Sequence, residues 1–178
     1  MKTPPSAPDP SDASARKRCF APVLDARSRL LILGSLPGEQ SLARQEYYGN
    51  RQNRFWSLME HVTGTPLVPL DYPARLHSLL AHGVGLWDVV AEARRHGSLD
   101  SNIRARDDND LPGLLERHPA IEAIAFNGAT AARLGMKVLG ARALAYRVLP
   151  LPSSSPAYTL AYAEKAARWR ILQDVLAR

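Results

Sequence analysis

The chain has a single cysteine, Cys19, so no internal disulfide and no cysteine-based cluster or zinc site can form within it. Paired metal ligands are missing as well. His61, His77, His82, His96 and His118 are scattered without His-x-x-x-His or His/Cys spacing, and no metal or other cofactor is expected. No apolar run approaches the length of a membrane span, and the N-terminus lacks an apolar core of signal-peptide length. These absences point to a soluble cytoplasmic protein with no membrane partner. Acidic residues are the minority: Lys+Arg 23 against Asp+Glu 17 gives a net charge of +6. A basic balance favours a polyanionic partner, nucleic acid above all.

What is present fits one domain. The 178 residues, 46% of them hydrophobic, suffice for one sizeable core. Residues 1–18, rich in Pro, Ser, Ala and Asp, are expected to be a disordered tail whose Arg16-Lys17-Arg18 end is a solvated basic patch. Residues 19–178 would form the domain. Leu30 to Leu33 is a short continuous apolar run stopped by Gly34, which predicts a strand buried on both faces of a parallel sheet. Further strands are expected over Val84–Val90, Ile121–Phe126 and Leu144–Leu149. Helices are expected from Asn53 to Gly64, from Asp71 to Gly83, before Gly97, from Asp110 to Pro119, after Asn127, and from Thr159 to Ala177. The last would bury Leu160, Ala163, Ala167, Ile171 and Val175, while residues 98–110 read as a charged loop. Alternating strands and helices predict an α/β fold, a mostly parallel sheet covered by helices on both faces.

In such sheets ligands bind beyond the carboxyl ends of the strands. Gly34 with Ser35, Leu36 and Pro37, then Asp88, Asn127 and the Pro152-Ser153-Ser154-Ser155-Pro156 loop, all fall at that end of separate strands. Four segments should therefore meet in one crevice. The stretch after the first strand is long and polar yet holds Tyr47, Tyr48 and Gly49, followed by Asn50-Arg51-Gln52-Asn53-Arg54; these parts suit a flat heterocycle with phosphates nearby.

Taken in order, these segments resemble the uracil-DNA glycosylase superfamily. GSLPG (34–38) matches its first motif, Asn53-Arg54-Phe55-Trp56 a signature of its mismatch-specific branch, and LPSSSP (151–156) its second motif. Within the superfamily the chain is similar to the hypoxanthine-DNA glycosylase branch, family 6. The shared runs are Tyr47-Tyr48-Gly49, Gln52 to Trp56, Gly85 to Val89, Gly97 to Ile103 and Phe126-Asn127-Gly128, and the likeness covers residues 20–177. Two departures stand out. Ser35 and Leu36 occupy first-motif positions where many members carry Asp, Asn or Glu to handle the attacking water, and Leu151 replaces a histidine that faces the base.

The resemblance implies a monomeric, metal-free, monofunctional DNA glycosylase of base excision repair acting on DNA with deaminated bases, hypoxanthine first and uracil second. It implies that the catalytic amide has moved to Asn53, with Tyr48 as the platform for the base. Gly34, Leu36, Pro37, Gly49, Asp88 and Asn127 would surround the base; Ser153, Ser154, Ser155, Pro156, Arg51 and Asn102 would contact DNA. Plainer readings stand beside these. Asn53 is also placed to cap a helix, as are Asn127 and the serines; Tyr47, Phe55 and Trp56 suit the core; Asp88 suits a satisfied strand-end carboxylate. Glu39 and Glu46 are the carboxylates in the loop and the reserve water-activators, while Asp100 gains a role only through the resemblance. The rival functions are a serine hydrolase with Ser35 as nucleophile and a DNA-damage binding module without catalysis.

Overall fold

The computed structural model describes residues 16–177. In chain order its elements are β1 (Arg16–Arg18), β2 (Leu30–Gly34), α1 (Glu39–Arg44), α2 (Phe55–Thr63), α3 (Tyr72–Ala81), β3 (Val84–Asp88), β4 (Val90–Arg94), β5 (Arg104–Asp108), α4 (Leu111–Arg117), β6 (Ala123–Asn127), α5 (Ala129–Leu139), β7 (Arg147–Leu151), α6 (Tyr162–Trp169) and α7 (Gln173–Leu176). Strands β2, β3, β6 and β7 make one parallel sheet in the order β3-β2-β6-β7.

The apolar run of β2 explains the layering. All five of its residues are buried, and successive side chains point to opposite faces. Leu30 and Ile32 pack with Phe55, Leu58 and Met59 of α2, Leu79 of α3 and Trp169 of α6. Leu31 and Leu33 pack with Leu114 and Leu115 of α4 and Leu134 of α5. Each fully buried Leu or Ile contributes about 1.5–3 kcal/mol, so a strand shared by both layers ties them together. Register then aligns the strand ends: Gly34 pairs with Asp88, and Asn127 pairs with Leu151. Helix starts follow the sequence, with Asp71 accepting from Ala74 N and Asp110 from Gly113 N.

The structure corrects the sequence reading in four places. Residues 90–94 are a strand, not a basic helix: β1, β4 and β5 form a second, antiparallel sheet, and residues 104–108 of the supposed charged loop are one of its strands. Cross-strand charges hold it, with Glu92 bridging Arg16 at 2.7 Å and Arg18 at 2.8 Å, and Arg16 bonding Asp107 as well. The basic triplet is therefore an ion-paired strand rather than the end of a disordered tail. Lys17 joins it through Glu39 at 2.9 Å. The rest of the expected tail, residues 1–15, lies outside the described residues.

The strand expected over 144–149 runs instead from Arg147 to Leu151, after a 3-10 turn over Gly140–Ala145. Last, the final helix is broken by a 3-10 turn at Arg170–Leu172, and its buried stripe is Lys165, Ala166, Trp169, Leu172 and Val175. Trp169 sets that phase, burying its ring completely and donating Nε1–H to Pro152 O at 2.9 Å. Of the five residues expected in the stripe only Val175 is buried, and Ile171 is exposed. No helix among the described residues is long and apolar enough to cross a membrane.

Candidate active site

A cavity of about 430 Å³ opens beyond the carboxyl ends of β2, β3, β6 and β7. Twelve of the residues singled out in the sequence line it together: Gly34, Ser35, Leu36, Pro37, Tyr48, Asn53, Asp88, Asn127, and the serine loop from Ser153 to Ser155 with Pro156 beside it. Three others do not reach it. Gly49 is buried behind it, its N–H donated to Ser41 Oγ at 3.0 Å; Arg51 is exposed outside it; Asn102 donates Nδ2 to His96 O at 3.0 Å.

At the floor, Gly34 brings its backbone against two polar side chains. A Cβ at this position would lie 2.6 Å from Asp88 Oδ1 and 3.3 Å from Tyr48 Oη, so the bare backbone makes the approach possible. Asp88 Oδ2 and Tyr48 Oη are buried without a hydrogen-bond partner. Burial, with the charge of Asp100 adding to it and that of Arg95 opposing it, pushes the Asp88 carboxyl up to about 7. Burial likewise raises the Tyr48 hydroxyl beyond its usual range. Tyr48 has the left-handed φ of 54°, a costly conformation for a bulky residue, and Phe55 stacks on its ring at 3.8 Å. Tyr47 next to it turns into the core and donates its hydroxyl to Ala21 O at 2.9 Å.

The walls are made differently. Asn127 neither caps α5, whose N-cap is Gly128 with no side-chain bond, nor stands free. Its Nδ2 donates to Ser154 Oγ at 2.8 Å and its Oδ1 accepts from Ser154 N at 2.9 Å. Tyr48 Oη lies near this amide without meeting it in hydrogen-bond geometry. Ser154 O accepts from Arg54 N at 3.0 Å, and Ser155 O from Lys165 Nζ at 3.1 Å. The serines do not cap the last helix, which starts seven residues beyond Ser155 at Tyr162. Their loop lies over the start of α5 instead, where a Cβ on Gly128 would touch Ser153 Cβ at 3.1 Å.

The opposite wall is the 34–38 loop. Arg95, its side chain wholly buried, donates Nη1 to Leu36 O at 3.1 Å and Nη2 to Pro37 O. Ser35 Oγ donates to Asp100 Oδ1 at 2.6 Å, and no histidine lines the cavity, so the serine-hydrolase alternative has no base. Asn53 stands just before α2, with Oδ1 accepting from Phe55 N at 3.0 Å and its remaining surface lining the cavity. Of the reserve carboxylates, Glu39 is paired with Lys17 and Glu46 is absent from the lining. No cluster of three or more potential metal ligands occurs among the described residues.

Sequence reasoning missed Arg95 and Lys165, and it gave Asp100 no place of its own. All three act through contacts between distant segments. Only an arginine directly after the central strand of the second sheet, or a lysine one turn inside a helix, marks them in the sequence.

Comparisons with known proteins agree with this fold. The family model described as the uracil DNA glycosylase superfamily matches residues 21–176. A hypoxanthine DNA glycosylase of Methanosarcina acetivorans is 39% identical over 153 residues, 86% of this chain and 95% of that protein. One from Methanosarcina barkeri is 33% identical over 154 residues, 86% of this chain and 96% of that protein. A solution NMR structure from Methanosarcina acetivorans, described as a candidate uracil DNA glycosylase, superposes with a TM-score of 0.82 at 38% identity, covering 92% of this chain and 100% of that one.

Proposed function

This chain belongs to the uracil DNA glycosylase superfamily, and from that premise we propose how it acts as a DNA glycosylase on hypoxanthine. The observation that carries the reading is the pair of orphaned polar atoms at the cavity floor, Asp88 Oδ2 and Tyr48 Oη. Buried polar groups are nearly always hydrogen-bonded, and two that are not, side by side in a cavity, call for a ligand that completes them. A base lactam does so: O6 of hypoxanthine takes the Tyr48 hydroxyl hydrogen while N1–H donates to Asp88. Adenine in the same position would set its N1 lone pair against the ionised carboxylate, so discrimination should sharpen as pH rises through about 7 and Asp88 loses its proton. A site built on hydrogen bonds discriminates strongly against the analogue that leaves them unpaired.

Extruding a nucleotide costs a few kcal/mol. Phe55 stacks on Tyr48 and fixes its ring, so Tyr48 meets the base through its hydroxyl and not through its face. The serine loop offers hydroxyls and N–H groups to the flanking phosphates, with Arg51 on the exposed side. Asn53 orients the attacking water with its amide while Oδ1 also serves the start of α2. The protein works as a monomer in the cytoplasm, without metal or other cofactor. Its DNA substrates carry deaminated bases, uracil being the second choice.

Incubation with duplexes containing inosine, uracil or only undamaged bases, followed by cleavage at abasic sites, tests the reading. Release is expected from inosine, weaker release from uracil and none from adenine; no scission on any deaminated base overturns it.

A further inference from the structure

A neutral amide orients water but is a poor base, and the first motif holds Ser35 and Leu36 where a carboxylate would stand. A carboxylate nevertheless reaches that place from a different segment. Asp100 opens a 3-10 turn, Asp100–Asn102, between β4 and β5, and its side chain enters the cavity 65 residues along the chain from the serine it meets. The Ser35 Oγ to Asp100 Oδ1 distance of 2.6 Å is that of a charge-assisted bond between a hydroxyl and a carboxylate. The side chain keeps 37% of its surface open, in contrast to the enclosed Asp88.

We propose that Asp100, oriented by Ser35 and Arg95, is the catalytic carboxylate that takes the proton from the attacking water. The inference rests on the glycosylase reading and adds to it the group that activates water. As the water oxygen bonds to C1′ of the sugar, the bond from C1′ to the purine nitrogen breaks and its electron pair leaves with the base. The water proton passes to Asp100 and then to the departing purine, which restores the carboxylate.

The two carboxylates of the cavity are thereby given different tasks by their surroundings. Asp88 is closed in at the floor and reads the base. Asp100 accepts from Ser35 and has Arg95 Nη1 at 3.8 Å, so two neighbours oppose the burial that raises it. The charged or titratable groups that face it are Arg95, Asp88 and Tyr48.

Single-turnover release from an inosine duplex, followed from acid to alkaline pH, tests the assignment. Wild-type protein should lose rate as acid protonates Asp100. Asp100→Asn should fall about 100-fold or more at neutral pH, keep its binding to the inosine duplex, and lose that acid limb while the titration of Asp88 remains. Ser35→Ala, which removes a bond that holds the carboxyl down, should move the limb to higher pH. An Asp100→Asn rate within a few-fold of wild type overturns the proposal. Should that variant fold poorly, Ser35→Ala decides, and an unmoved limb overturns it. A wild-type protein inactive on inosine instead overturns the glycosylase reading beneath it.

Discussion

The floor and the walls of the cavity treat polar groups in opposite ways. Along the walls Asn127 and Ser154 satisfy each other twice, and Arg95 spends its guanidinium on the carbonyls of Leu36 and Pro37. At the floor Asp88 Oδ2 and Tyr48 Oη are left without partners although the backbone around them is crowded. Satisfied groups build a fixed frame, and unsatisfied ones in a closed space store a demand that only a ligand meets. Loss of a wall contact should therefore cost stability, whereas loss of a floor group should cost activity and return stability. Variants at three positions test that contrast.

Asp88 gives the largest effect. The folded protein holds its carboxyl at about 7 against an ordinary 3.8, so the neutral form is the one favoured by folding. That contribution is complete below the ordinary value and is lost as pH rises through about 7. Asp88→Asn is neutral throughout, so it should gain on wild type by a few kcal/mol between about pH 4 and pH 8, read as a difference in urea midpoints. Asp25, Glu39, Glu60 and Glu92, all held low by hydrogen bonds from backbone or basic groups around them, work in the opposite direction and cancel in the difference. The same variant should release hypoxanthine about 10- to 100-fold more slowly, the worth of a hydrogen bond to a charged group. Parallel pH-stability curves for the two proteins would refute the account of the floor.

Asn127→Ala attacks a wall. It strips Ser154 of a donor and an acceptor inside the protein, and about 2 kcal/mol of stability should go with them. For a chain of this size that lowers the melting temperature by about 4–8 °C. An unchanged melting temperature, with activity alone reduced, would move Asn127 from the frame to the floor.

How far this contrast was legible beforehand differs from element to element. Leu30 to Leu33 announces a two-faced strand, and a strand end in a parallel sheet is a binding position by topology, so Gly34, Asp88, Asn127 and the serine loop were found from sequence alone. The antiparallel sheet was not. Its strands read as helix or loop because Ala91 to Arg94 has helix-forming side chains, and the ion pairs that override this come from residues 16–18 and 104–108. The same distance hides Asp100, which becomes part of the site only once the second sheet carries it to Ser35. Asn127 shows a subtler limit: an amide after a strand has the same spelling whether it caps a helix, reads a base or, as here, holds a loop.

Tyr48→Phe is the smallest and the sharpest test. The variant keeps the ring, its stack on Phe55 and its left-handed backbone, and removes one oxygen that is buried with no partner. Leaving such a group buried costs about 1–3 kcal/mol, partly recovered in practice, so the variant should be more stable than wild type by about 1 kcal/mol. Its melting temperature should rise by about 2–4 °C. Release of hypoxanthine should slow, because O6 loses its donor, while DNA affinity persists. If the hydroxyl belonged to the frame, the melting temperature would fall and the rate would follow it downward; a rise in one with a drop in the other can arise only where the oxygen waits for a base.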